Sequence, residues 1–546
     1  MSAEGISVII LAAGEKPSAS IRGKLGVGWV VESVAAAHGS GADICVVLNA
    51  QDARLADYLA RHYPEVHRLP VDAAAMVEKY RCPYNILHSL LAGMDALPGG
   101  AEQVEVVLGD SVCRYDSAAV PEDFVLVSGD IISSERWCIV EPDAKGNIKK
   151  IYDKRPNISL SGKAAAVGLY RFADAELLRK TIAAQLKAGG EQISAVLNAY
   201  NDRRPIAVAE AAMWLDLGHI DGIIRARNHF FNSRDFNSMA VDSVRGTIRK
   251  ISSKVQKLRD EYDWYRGLPP DLQPLVPRVV GFEEAVDHAW LEMEMYGYPP
   301  LSELFVLGDM GIEEWTLILT RLFEAHRLFE SHAGQLPPAA LRELYIGKTF
   351  ARLEELSRQN PYWQALLARK TVIINGREYP NLPEFSASLR KAAAKLVARA
   401  RITVMHGDYC FNNILLDTSS FMVRLIDPRG RLDQPTIYGD PRYDIAKLRH
   451  SAVGGYDLAV HRCFRLDEPR KGEFRLAMDA PDFAVRLADT FDALTVKYGY
   501  DLAEIRLIEA MLFASMLPLH KDDFERQKVF YCKAVMLLGD IFGGVK

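Results

Sequence analysis

The sequence predicts a two-part α/β chain: a mixed sheet with flanking helices over residues 1–232, then a bilobal α+β domain over residues 233–546. Three observations carry this expectation. The chain has 546 residues, too many for one hydrophobic core. Its first half alternates short apolar runs with helical stretches, the pattern of a sheet covered by helices. Its second half begins with strand-like alternation and turns to long helical periodicities. Between them, His229-Phe-Phe-Asn-Ser-Arg-Asp-Phe-Asn237 passes from helix to polar turn residues with no Gly/Ser-rich or Pro-rich linker, so a short connection is expected.

Taken in order, Ser7-Val-Ile-Ile-Leu-Ala-Ala-Gly14 reads as a buried strand ending at a glycine, followed by polar, turn-rich residues 15–28. A strand feeding such a loop can wrap backbone N–H groups around a triphosphate. A strand is expected over Asp43–Leu48, helices over Ala53–His62 and Asn85–Leu97, and a strand from Val104 that leads into Asp110. Open α/β sheets place their ligands at the C-terminal ends of such strands. Met213-Trp-Leu-Asp-Leu-Gly218 puts a second carboxylate, Asp216, at a strand end before a helix from about Ile220 to Phe230. Two acidic residues converging on one cation suit nucleotidyl transfer, where Mg²⁺ bridges the α-phosphate and the attacking oxygen. An Asp after a strand is also a frequent helix cap or turn residue, and that alternative stands beside the first.

Leu11-Ala-Ala-Gly14, Leu108-Gly-Asp110, Ile151-Tyr-Asp-Lys154, Val167-Gly-Leu-Tyr170 and Trp214-Leu-Asp216-Leu-Gly218 occur in an order that resembles the nucleotidylyltransferases making NDP-sugars and CDP-choline. The match covers roughly residues 5–232. The resemblance implies a Rossmann-like, GT-A-like nucleotidyltransferase sheet, with nucleotide binding at Leu11, Ala12, Ala13 and Gly14. It further implies metal ligation by Asp110 and Asp216 and phosphate contact by Lys154. The signature loop departs from that family. Lys16-Pro17 stands where a second glycine is usual, and proline donates no amide hydrogen bond. The usual Pro-Lys pair becomes Gly23-Lys24, with Arg22 nearby. Arg22 and Lys24 are the expected source of positive charge at the transition state. Tyr84 to Ser89 is expected to meet the nucleobase, with CTP or UTP favoured. Two readings follow: an active domain with a reshaped loop, or a nucleotide- or sugar-binding module that regulates its neighbour.

The second half holds the densest chemistry. Arg401-Ile-Thr-Val-Met405 reads as a strand leading into His406-Gly-Asp-Tyr-Cys-Phe-Asn-Asn413, and Ile414–Leu416 and Met422–Ile426 read as strands, the latter ending at Asp427. An Asp five residues before an Asn lets one loop present a base to a hydroxyl and an amide oxygen to a metal, while a second Asp closes the Mg²⁺ site. From about Arg234 onward the chain resembles the aminoglycoside phosphotransferase and choline kinase family, a branch of the protein-kinase-like fold. That resemblance implies Asp408 as catalytic base, Asn413 and Asp427 as Mg²⁺ ligands, His406 as a loop-holding residue, and Asp444 as an anchor under the loop. Kinases also place a strand lysine, paired with a helix glutamate, on the ATP phosphates. Lys250 in Gly246–Ile251 and Glu261 in the polar helix Lys254–Tyr265 are the candidates, with Lys254 an alternative lysine. Leu291–Tyr298 is expected to form the strand and hinge between lobes, with backbone near Met295 facing adenine. Long helices are expected over Ile312–Glu330, Ala340–Gln359, Pro383–Arg401 and Pro481–Tyr498.

Composition bounds the rest. Apolar residues make up 49% and charged residues 25%, and the net charge of −5 gives no support to a nucleic-acid partner. Seven cysteines without a CxxC pair read as free thiols in a reducing compartment. No apolar run approaches the ~18 residues of a membrane span, and a cytoplasmic location is the expectation. The sequence leaves the oligomeric state open. A kinase makes X-phosphate from X-OH, and a nucleotidylyltransferase makes NDP-X from X-phosphate. The two halves together therefore predict a bifunctional enzyme using Mg²⁺, ATP and a second NTP to activate a small alcohol or sugar for surface polysaccharide, lipopolysaccharide or lipid headgroup synthesis. The alternative is a monofunctional kinase under a regulatory first domain. An antibiotic-modifying role is disfavoured, since it needs no nucleotidylyltransferase. Trp264, Tyr265, Tyr438 and Tyr443 are candidates for an aromatic cage around a quaternary ammonium, with core positions as the alternative; Arg429 and Arg442 are candidates for recognising an acidic substrate such as an acid sugar or glycerate, with pairing to Asp427 or Asp440 as the alternative.

Overall fold

Runs of β-branched residues that cannot be wetted without large cost form the middle of the first sheet. Ser7–Ala12 lies between Asp43–Asn49 and Val104–Leu108, parallel to both, and His67–Val71 adds a fourth parallel strand. Antiparallel pairing extends the Val104–Leu108 side through Ala164–Phe172 to Cys138–Pro142 and Ile148–Asp153; Phe124–Ser128 also pairs antiparallel with Ala164–Phe172 and carries Ala207–Glu210 parallel on its other side. The result among the described residues is a nine-stranded mixed sheet. In this computed structural model residues 6–14, 20–21, 24–39, 42–97, 101–131, 133–229, 237–242, 244–308 and 310–543 are described. They fall into two units, Met1–Phe230 and Phe231–Lys546.

The helix Ala53–His62 has the predicted bounds, started by Asp52, whose Oδ1 accepts from the Leu55 amide at 2.9 Å. Asn85 caps Ile86–Ala96 in the same way. The turn-rich segment predicted to run to Gly28 is shorter than expected. Gly26–His38 is a helix, because Val27, Val30, Val31 and Val34 repeat at helical spacing and are all buried. His88, predicted near a nucleobase, is fully buried and bonded within the Asn85 capping turn. It belongs to the core.

The second unit opens with a four-stranded antiparallel sheet in the order Asn237–Asp242, Thr247–Ser252, Ala289–Glu294, Val279–Glu284. The helix Val255–Gly267 packs on it, burying Leu258, Trp264 and Tyr265. A helical lobe follows. Ile312–Glu330 forms with the predicted bounds. The helix expected over Ala340–Gln359 is divided into Pro338–Arg342, a wide π turn at Glu343–Gly347, and Lys348–Gln359. That expected over Pro383–Arg401 begins as a tight turn, Leu382–Phe385, and continues as Ser386–Ala398. Trp264 and Tyr265 lie in the hydrophobic core, the Trp264 indole donating to the Met405 carbonyl at 2.9 Å, so neither forms a cage wall.

Two buried imidazoles of this unit, His450 and His520, each favour the folded state less in acid. His450 stacks on Tyr456 and meets a tilted Phe513, 4.4 and 4.2 Å between centroids, and burial holds it well below its ordinary pKa. Burial, with Arg526 nearby, pushes His520 down to about 4. Unfolded imidazoles titrate near ~6.5. A folded pKa below the unfolded one gives stability that is present above pH ~6.5 and lost as pH falls towards about 4. Glu261, Asp457 and His326, whose pKa values the fold raises, act in the opposite sense over the same window, so the imidazole contribution is read by difference: in urea titrations followed by circular dichroism, the midpoint at pH ~7 minus that at pH ~5 is expected to be smaller in His450→Phe than in the wild type. An equal difference in the two proteins would contradict this account.

Candidate functional site

The His406–Asn413 loop is held from beneath by one buried carboxylate. Asp444, fully buried on the helix Pro441–Ala452, accepts the backbone N–H groups of His406 and Gly407, both at 2.8 Å. His406 is also fully buried, takes the Asp408 amide on Nδ1 at 3.3 Å, and is held below its ordinary pKa by burial. It is neutral and structural in this setting. Asn413 turns its Nδ2 onto the Asp408 carbonyl and onto Asp408 Oδ2, each at 3.0 Å. Its carbonyl accepts from the Ile426 amide at 2.9 Å, which ties the loop to the strand leading to Asp427.

Asp408 has a partner that the sequence reading missed. Burial alone would raise its pKa, but the Lys447 ammonium, 2.9 Å from Oδ1, outweighs burial and holds the carboxyl well below the usual range. Lys447 lies one turn beyond Asp444 on a helix whose residues are all buried. The i, i+3 spacing in Asp444-Ile-Ala-Lys447 was the available signal, but it acquires meaning only once the helix is placed beneath the loop.

Lys250 and Glu261 meet. Lys250 Nζ lies 2.7 Å from Glu261 Oε2 and 2.7 Å from Asp427 Oδ1, joining strand, helix and second acidic residue in one cluster. Burial lowers the Lys250 pKa, and the Asp427 and Glu261 carboxylates more than reverse it. Glu261, fully enclosed, is pushed up to about 7 by that burial despite Lys250. Asp427 sits at φ 55°, a left-handed conformation that a non-glycine residue adopts at a cost. Gly430, at φ 65°, follows it past the helix: a Cβ there would lie 2.2 Å from the Asp260 carbonyl oxygen. Arg431 then clamps Asp260 with Nε and Nη2 at 2.6 and 2.9 Å. The alternative lysine, Lys254, stands at the N-terminal cap of the helix.

Near Met295, where backbone groups were expected to face adenine, the Met295 N–H itself donates to the Gly246 carbonyl at 2.9 Å as the edge of the sheet closes. Arg442 takes the alternative foreseen for it, pairing with Asp440, and its guanidinium is shared further by Glu504 and the Leu396 carbonyl. Arg429 is placed differently. Its amide donates to the His406 carbonyl at 2.9 Å, and Nη2 donates to the Tyr443 hydroxyl at 3.1 Å.

In the first unit, strand order brings Asp110 and Asp216 together. Gly109 donates to the Leu11 carbonyl at 2.9 Å, so the Asp110 turn lies beside Leu11 and Ala12. Met213–Asp216 pairs antiparallel with Ser111–Arg114, and the Leu217 amide donates to the Asp110 carbonyl at 2.7 Å. A Cβ on Gly218 would lie 2.6 Å from Asp110 Oδ2 and 3.1 Å from Asp216 Oδ1, so both carboxylates flank the space this glycine leaves open. Asp216 also performs the turn role foreseen as its alternative, since Oδ1 accepts from the Gly218 amide at 3.0 Å. Its Oδ2 is 2.7 Å from His219 Nδ1, a contact not anticipated, and Trp137 meets both His219 and Trp214 edge-on. Lys154, exposed and at φ 49°, is linked to this group through its amide, which donates to the Trp137 carbonyl at 3.0 Å.

Lys24 is drawn elsewhere. Its Nζ lies 2.5 and 2.7 Å from the two Glu32 oxygens and 4.4 Å from the Trp29 ring centroid, and Glu32 also accepts from Tyr63. Its charge is answered within the Gly26–His38 helix region, where the sequence reading expected it to face a phosphate. Ala13 and Gly14 follow the first strand, half-buried and exposed. Arg22 lies outside the described residues.

Magnesium takes one or two carboxylates together with substrate phosphate oxygens, rather than an all-protein cage. Asn413 with Asp427, and Asp110 with Asp216, fit such partial donor sets. Among the described residues no cluster of three His, Cys, Asp or Glu is arranged for a metal.

Residues 244–465 match the family model described as "Phosphotransferase enzyme family". A comparison with curated proteins finds no similar sequence. Among solved structures, a nucleoside-diphosphate-sugar pyrophosphorylase from Vibrio cholerae is 13% identical, covering 41% of this chain and 99% of its own, with a TM-score of 0.32. A 4-diphosphocytidyl-2C-methyl-D-erythritol synthase from Anaerococcus prevotii is 13% identical over 42% of this chain and 98% of its own, at 0.31. The aminoglycoside phosphotransferase APH(4)-Ia, in complex with AMP-PNP and hygromycin B, is 13% identical over 56% and 90%, at 0.35. The family model covers the strand of Lys250, the loop of Asp408 and Asn413, Asp427, and the helix of Asp444 and Lys447, and residues 244–465 are accordingly a domain of the phosphotransferase enzyme family.

Proposed function

We propose that the chain is a bifunctional enzyme: its second unit phosphorylates a small alcohol or sugar with ATP, and its first couples the phosphate ester to a second NTP, giving an NDP-activated building block and pyrophosphate. The observation that carries the first step is the convergence of Lys250, Glu261 and Asp427 with 2.7 Å contacts, beside a loop in which Asn413 and Lys447 fix Asp408. In this reading Asp408 accepts the substrate hydroxyl, and Asn413 and Asp427 hold Mg²⁺, which when bound neutralises the phosphate charge. The pairing with Lys447 makes Asp408 a weak proton acceptor. That suits a loose transition state, in which the hydroxyl proton leaves late and orientation matters most.

The second step is supported by Asp110 and Asp216 flanking Gly218. No base is required there, because the attacking phosphate is already ionised. Lys154 would contact phosphate, and CTP or UTP is the favoured nucleotide. The engagement of Lys24 by Glu32 supports the other reading, a first unit that binds without transferring. A coupled reaction separates them: purified protein, ATP, Mg²⁺, each of CTP, UTP and GTP, and a panel of alcohols, read by mass spectrometry. NDP-X formation establishes both activities. X-phosphate alone under every nucleotide assigns the first unit a regulatory role.

Asp427→Ala is expected to weaken Mg²⁺-dependent ATP binding by about tenfold or more, because it removes a metal ligand and leaves Lys250 with Glu261 alone. Titration with a fluorescent ATP analogue checks this. Unchanged affinity would remove Asp427 from the metal site.

A further inference from the structure

Three cations stand around Tyr443 with no carboxylate in hydrogen-bonding contact. Arg429 reaches the Tyr443 hydroxyl at 3.1 Å, and its guanidinium carbon lies 5.0 Å from the ring centroid. Lys348 and Arg352 lie one turn apart on Lys348–Gln359, and both interact electrostatically with Tyr443 and Arg429. Among the described residues Lys348 has no ion pair, and Arg352 donates to a neutral group, the Ser515 carbonyl, at 3.0 Å. The acids that face this group are few. Asp408 is paired with Lys447, Asp444, which also acts on Arg429, is taken up by the His406 and Gly407 amides, and Glu355, near Arg352, is exposed. Tyr443 and Lys447 are four residues apart on one helix, so the cationic group continues directly to the Asp408 carboxylate.

We propose that the phosphoryl acceptor is an anionic alcohol, a hydroxy acid whose carboxylate is received by Lys348, Arg352 and Arg429 while its hydroxyl faces Asp408. Half-buried cations without counter-ions are costly unless an anion joins them, and two guanidiniums offer planar donor pairs matched to a carboxylate. The local potential agrees. Burial, with Arg429 and Arg352 close by, pushes Lys348 down to about 8. Burial should raise the Tyr443 phenol, yet Arg429, Lys348 and Lys447 bring it to about 7. A cationic alcohol such as choline or an aminoglycoside would meet repulsion at this place.

The inference rests on the reading of the second unit as an alcohol kinase, and the test separates the two. Full-length protein with ATP and Mg²⁺ is assayed for ADP release against D-glycerate, D-gluconate and D-glucuronate, the phosphate-bearing glycerol 1-phosphate, the neutral glycerol and glucose, and the cationic choline, ethanolamine and hygromycin B. Turnover is expected with carboxylates, and Lys348→Met and Arg352→Gln are each expected to raise KM for the acid by ~10- to 100-fold, the loss of a charge-assisted hydrogen bond. Turnover confined to glycerol 1-phosphate would keep the anion site and replace carboxylate by phosphate. Turnover of neutral or cationic alcohols in place of the acids, or unchanged KM in both variants, would overturn the proposal and leave the kinase reading standing. A wild type that binds one of the acids in calorimetric titration with AMP-PNP and Mg²⁺, yet transfers nothing from ATP, would keep the anion site and overturn the kinase reading.

Discussion

Asp408→Asn is expected to lower ATP-dependent phosphorylation by ~10²- to 10⁴-fold, the range attributed to a positioned base, with nucleotide affinity nearly intact. The geometry explains both parts. Asp408 stands between two donors, Lys447 at 2.9 Å from Oδ1 and Asn413 Nδ2 at 3.0 Å from Oδ2. An asparagine keeps the size but must turn its own N–H₂ towards one of them, so a donor faces a donor and the loop loses its fixed orientation as well as its charge. The cluster of Lys250, Glu261 and Asp427 does not contain Asp408, and its 2.7 Å contacts remain. Steady-state phosphorylation and a parallel nucleotide titration provide the check. Wild-type turnover in the variant would show that this loop is not where the hydroxyl is activated.

Asp110→Asn is expected to reduce pyrophosphate release from NTP and a phosphorylated acceptor on the order of 10²-fold or more, the scale of losing a preorganised charge at a transition state. The substitution is nearly isosteric. The Asp110 carbonyl keeps its bond from the Leu217 amide, and the Gly109 amide keeps the Leu11 carbonyl, so the turn should persist. Asp110 belongs to the unit Met1–Phe230 and the phosphotransferase domain to Phe231–Lys546, so ATP use should continue unchanged. Pyrophosphate release that matches the wild type would remove Asp110 from the metal site. A wild type that releases none with any NTP would favour the regulatory reading of the first unit.

What the sequence determined by itself was what lies close along the chain. His406, Asp408 and Asn413 occupy a single loop, and alternation from Met422 delivers Asp427, so their chemistry is legible as spacing. The helix Ala53–His62 was equally legible, because capping and periodicity act within one or two turns. Lys250 and Glu261 were paired on paper because a strand and the helix that follows it constrain each other over 11 residues.

Tertiary structure alone decided the contacts that span long separations. Lys447 reaches Asp408 only because Asp444 docks its helix under the loop. Lys348 and Arg352 read as ordinary helix-surface cations until packing brings them to Tyr443 and Arg429. The same cause hid other contacts. Lys24 was expected to supply charge at the transition state, and its local sequence gives no sign that Glu32, eight residues on, takes its Nζ; the Gly246 carbonyl, 49 residues before Met295, likewise gives no sign that it accepts the Met295 N–H. Periodicity and short-range hydrogen bonding are encoded residue by residue, whereas an ion pair depends on which faces two separate elements present once the hydrophobic core has fixed them.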